Sequence, residues 1–111
     1  MTSTTNFPEF LKWGLFTSKD KENPDILKVQ VLEDETFDTE FSTNIRALVD
    51  KVEKIISLHN FDSKNKQLLQ KFLKAKKEGK IKVGKEFQIV TYLGVSKTNK
   101  EFSIRRFELV F

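Results

Sequence analysis

The chain has 111 residues, 38% apolar and 32% charged, with a formal net charge of +4 and no cysteine. That length supports one domain with a real core, and the missing thiols exclude disulfides, thiolate metal sites and cysteine nucleophiles together. No apolar run approaches the ~18–20 residues that a bilayer span needs, and the Thr/Ser-rich start lacks a basic segment followed by an apolar one.

These features predict a flexible tail over residues 1–8, a single α+β domain over 9–111, no membrane association and, by default, an intracellular setting, cytoplasmic or nucleoid-associated. Phe10 to Thr17 alternates Leu11, Trp13 and Leu15 with Phe10, Lys12, Gly14 and Phe16, which predicts a strand. A polar loop through Pro24 leads to a second strand over Ile26–Leu32, and the two are expected to form a hairpin. Phe41, Ile45, Leu48, Val49, Val52, Ile55 and Ile56 then recur at spacings of three and four. That spacing predicts an amphipathic helix, capped by Asp38, Thr39 or Ser42 and stopped at Asn60. A second helix, from about Asp62 or Ser63 to Glu78 and ended by Gly79, would bury Leu68, Leu69, Phe72 and Leu73.

Ile81 and Val83 suit a short strand, and Glu86 to Val95 predicts a strong one with Phe87, Ile89, Thr91, Leu93 and Val95 on one face. Lys97 to Lys100 reads as a turn. In the last strand Phe102 and Ile104 have one parity, while Phe107, Leu109 and Phe111 have the other. A β-bulge at Arg105-Arg106 would bring all five to one buried face. That register sets Tyr92 against Arg105, Ile89 against Leu109 and Phe87 against Phe111. The expected fold is a four- to five-stranded antiparallel sheet in ββααββ order with two helices packed on one face.

Charge is unevenly spread. Residues 1–63 carry 7 basic and 12 acidic side chains, whereas residues 64–85 carry 9 lysines and one glutamate. Such asymmetry favours a polyanionic partner, or a second subunit of reverse polarity. Catalytic signatures are weak: His59 is the only histidine, all four glycines stand alone, and Glu78-Gly79-Lys80 resembles a nuclease tripeptide only in spacing. The acidic stretch from Glu33 to Glu40 lacks the glycine turn of a calcium loop and reads as a solvated cluster. We therefore expect no enzyme activity, no cofactor and no metal.

Basic residues beside aromatic rings suit phosphates and unpaired bases. The expected function is sequence-tolerant binding of single-stranded DNA, with RNA as the other compatible ligand. Its candidate residues are the possible stackers Trp13, Phe16 and Tyr92 and the phosphate-holding Arg105 and Arg106, together with Lys71, Lys74, Lys77, Lys80, Lys82, Lys97 and Lys100. The alternative is a protein-interaction module or homodimer using an exposed sheet face and the C-terminal strand, because thirteen aromatics exceed what a small core needs.

Overall fold

Among residues 8–95 and 103–111, which the computed structural model describes, the chain forms seven strands and one α-helix. The strands are β1 (Glu9–Phe10), β2 (Asp25–Val31), β3 (Phe37–Asp38), β4 (Ser42–Val49), β5 (Val52–Asn60), β6 (Glu86–Val95) and β7 (Ser103–Val110). The helix, α1, spans Gln67–Lys77, and a 3-10 turn covers Trp13–Leu15. The tail expected over residues 1–8 lies, apart from Pro8, outside the described residues, as does the turn carrying Lys97 and Lys100.

Turn chemistry decides the middle of the chain. Asp50 and Lys51 both adopt left-handed backbone, with φ of 50° and 72°. Two such residues make the short turn whose twist matches a β-hairpin. Val49 and Val52 close it, and β4 and β5 remain paired out to Ser42 and Asn60, with one register shift between Thr43 and Asn44. The amphipathic helix expected here is therefore a hairpin. Its β-branched residues (Thr43, Ile45, Val49, Val52, Ile55 and Ile56) are stiff at χ1 and pack better on a pleated surface than on a helix.

The sheet runs β1-β5-β4-β2-β6-β7, with β3 beside β4 beyond the end of β2. All pairs are antiparallel except β1–β5. The expected antiparallel sheet of four or five strands with two helices is thus corrected to a seven-stranded mixed sheet with one helix. The expected first hairpin is also absent, because the 3-10 turn at Trp13 interrupts the alternation and β2 sits centrally between β4 and β6. Ile81 and Val83 lie outside any strand; the chain turns at Gly84, whose N–H donates to the Val31 carbonyl.

Leaving aside β1 and β3, the path is a three-stranded meander (β2, β4, β5), then α1, then a hairpin (β6, β7) whose first strand returns beside β2. This is the connectivity of the OB-type barrel, a partly open five-stranded Greek key. Leu68, Phe72 and Ala75 of α1 are buried, and Leu68 and Phe72 join the core formed by Leu27, Val29, Ile45, Ile56 and Ile89. The helix starts later than expected because Asn60, Ser63 and Asn65 each accept, through a side-chain oxygen, the N–H two residues on. These local turns hold residues 60–67 out of the helix. At the other end Gly79 (φ 76°) ends α1, with the N–H groups of Gly79 and Lys80 donating to the carbonyls of Lys76 and Ala75.

β6 has the expected bounds, and β7 is regular, from Ser103 opposite Val95 to Val110 opposite Gln88. No bulge interrupts it at Arg105-Arg106. Ile89 does face Leu109, but Tyr92 faces Arg106 and Leu93 faces Arg105. Arg105 consequently shares the inner face with buried Phe107, Ile104 is half-buried, and Phe111 is 49% exposed. Phe102 lies outside the described residues.

Candidate nucleic-acid interface

No ladder joins β5 to β7, and the chain before β2 crosses the seam between them. Leu11 N–H donates to the Ile55 carbonyl at 2.8 Å, and Trp13 Nε1 donates to the Ser57 carbonyl at 3.1 Å. The indole meets the Phe107 ring edge-on, with centroids 5.1 Å apart. Past the 3-10 turn, the Phe16 carbonyl accepts from Arg105 Nη2 at 2.6 Å, and the Ser18 carbonyl accepts from Leu93 N–H at 2.7 Å. From the other side, Asn65 Nδ2 donates to the Arg105 carbonyl at 3.0 Å.

One cleft lies over this seam, and a second adjoins it through Ser63 and Asn65 at the start of α1. The outer cleft, about 550 Å³, is lined by Ser63, Lys64, Asn65, Lys66, Gln67, Gln70 and Ile104. The inner cleft, about 280 Å³, is bounded by Trp13, His59, Asn60, Arg105 and Phe107, among others. Together they form one groove, cationic and amide-rich outside, aromatic inside. His59 Nε2 lies 3.0 Å from the Ser63 carbonyl, and its ring meets Phe61 edge-on at 5.8 Å. Phe61 is 47% exposed, and its N–H donates to the carbonyl of Phe41, which is 65% exposed. Burial pushes the Arg105 guanidinium below its ordinary pKa, opposed by the charge of Asp25.

The residues singled out in the sequence fall into three groups rather than on one face. Trp13, Phe16 and Arg105 meet at the seam, but Trp13 and Arg105 spend hydrogen bonds on holding it closed. Arg105 also donates to Thr91 Oγ1 at 3.2 Å. Tyr92 and Arg106 pair on the opposite, outward face of β6 and β7. Lys71 donates to the Phe107 carbonyl and to Glu108, while Lys80 pairs with Glu78 and lies 5.8 Å from the centre of the Phe111 ring. Lys71, Lys74 and Lys80 border a separate cleft of about 200 Å³ beside Phe111. Lys77 and Lys82 are exposed, and Lys97 and Lys100 lie outside the described residues.

The groove also contains residues that sequence reasoning passed over. In the sequence His59 falls just before the expected helix stop at Asn60, and Lys64 and Lys66 read only as part of a basic run. Gln67 and Gln70 carried no signal at all. Among the described residues, no group of three or more His, Asp and Glu side chains comes together to hold a metal ion, and no helix is long and apolar enough to cross a membrane. No protein-family description, curated protein or solved structure matches the chain, so its likeness to OB-type barrels is one of connectivity.

Proposed function

We propose that the chain binds single-stranded nucleic acid, with DNA as the first ligand to test, in the groove over the β5–β7 seam. The observation that carries this reading is the groove's composition: Lys64 and Lys66 among amides on one side, Trp13, His59 and Arg105 on the other. Cations suit phosphates, and flat rings beside a guanidinium suit unstacked bases. The connectivity adds an argument by analogy for the ligand class alone, since OB-type barrels bind oligonucleotides on a face that corresponds to β4 and β5, and of these strands only β5 borders the groove. The Lys-rich helix and the segment after it, expected from sequence to supply the electrostatics, become a flank in which Lys71 of α1 and Lys80 beyond it already have protein partners.

Trp13 is the sole tryptophan, so its emission reports on the groove directly. Titration with thymidine oligonucleotides should quench it, and log K should fall by about 0.7 per contacted phosphate for each tenfold rise in salt. Replacing both Lys64 and Lys66 by Gln should weaken binding and flatten that slope. The absence of binding at low salt to single-stranded DNA and RNA alike would sink the proposal.

The rival reading, a homodimer built on the C-terminal strand, draws on the exposure of Val110 and Phe111. Against it, the β7 carbonyls of Arg105 and Phe107 already accept from Asn65 and Lys71. Those bonds block part of the edge that a second strand would use. Sedimentation without nucleic acid separates the two readings.

A further inference from the structure

We infer that the inner cleft is a base-accepting subsite, taking one unstacked nucleobase while the neighbouring phosphates lie along Lys64 and Lys66. This deepens the single-strand reading and rests on it. The two halves of the groove differ in chemistry: the outer half has lysines and amides without an aromatic ring, whereas Trp13, His59, Phe107 and Arg105 all line the inner half. A phosphodiester needs cations and donors, and it gains nothing from ring faces. A flat heterocycle with polar edges gains from both, stacking on indole, imidazole or guanidinium while Asn60 and Ser63 offer groups to its rim.

The inner cleft also depends on a part of this chain that lies outside the five-stranded barrel. Trp13 belongs to the segment before β2, and its Nε1–H is held by the Ser57 carbonyl, which fixes the indole against Phe107. The ring therefore stands in place before a ligand arrives. Rigid aromatic groups bind with little further loss of conformational freedom.

The test compares hexathymidylate with a hexamer of the same backbone in which every residue is abasic, so that charge is kept and bases are lost. The proposal expects the abasic hexamer to bind about tenfold more weakly, in the range for one stacked base, and to quench Trp13 less. His59→Ala should weaken hexathymidylate binding while leaving the abasic hexamer unchanged. Lys64→Gln should weaken both ligands by similar factors. Equal affinity and equal quenching by the two hexamers would overturn the subsite and leave the single-strand reading standing. An equal effect of His59→Ala on both ligands would also overturn the subsite. Failure of both hexamers to bind at low salt would remove both proposals.

Discussion

Adjacent arginines on β7 have opposite fates, and the alternation of the strand is the cause. Arg105 points to the inner face, where its guanidinium donates to the Phe16 carbonyl and Thr91 Oγ1. Arg106 points outward and lies over Gly94, where an added Cβ would come within 3.1 Å of Arg106 Cγ. Removing Arg105 leaves the Phe16 carbonyl without its charged donor, so Arg105→Ala should lower stability by about 1–3 kcal/mol in urea unfolding. Arg106→Ala, at a half-buried position on the outward face, should cost less, about 1 kcal/mol or below. Equal losses for the two would contradict the regular register of β7. Neither fate is legible in the sequence, because Arg105-Arg106 reads the same in a strand or a bulge. The parity change between Ile104 and Phe107 invited a bulge. The structure needs none, because Arg105 finds acceptors on the inner face.

The β4–β5 hairpin shows how two structures can share one apolar pattern. In a helix, residues three and four apart share a face. In a hairpin with a two-residue turn, the closing pair is also three apart, and same-face neighbours along each strand are two or four apart. Ile45, Val49, Val52 and Ile56 satisfy both patterns. The distinguishing signals were the β-branched content and an Asp-Lys turn without the glycine that usually marks one. By contrast β2, β6 and most of α1 were legible, because they have unbroken alternation or a Gly79 stop beside a periodic stripe. Lys51 is an L-residue at φ 72°, so Lys51→Gly should raise the unfolding free energy by roughly 0.5–1 kcal/mol. Gly79→Ala, at φ 76°, should lower it by about 1 kcal/mol. If Lys51→Gly proved destabilising by that amount, the turn would have another conformation.

Across the whole molecule, the segment from Pro8 to Ser18 bridges the seam between β5 and β7, which no ladder joins. Its bonds reach Ile55 and Ser57 on one side and Leu93 and Arg105 on the other. The central pairing of β2 with β4 and β6 is independent of it, since those strands are joined by their own ladders. The sequence located the Trp13 alternation but not its role, because a seam exists only once β5 and β7 have been brought near each other by residues far along the chain. Trp13→Ala removes the indole from Phe107 and the donor from Ser57. Its cost should be about 2–3 kcal/mol, below the ~3–5 kcal/mol of a fully buried ring, because Trp13 is only half-buried. The change should also be local. Amide exchange should quicken at Leu11 and Leu93, whose N–H groups bond across the seam, with a smaller change at Val29 and Val49 in the central ladder. Such a pattern would make the seam a unit that opens separately from the central ladder. Uniform acceleration at all four amides would instead show that the segment folds and unfolds with the barrel, and that the groove is as rigid as the core beneath it.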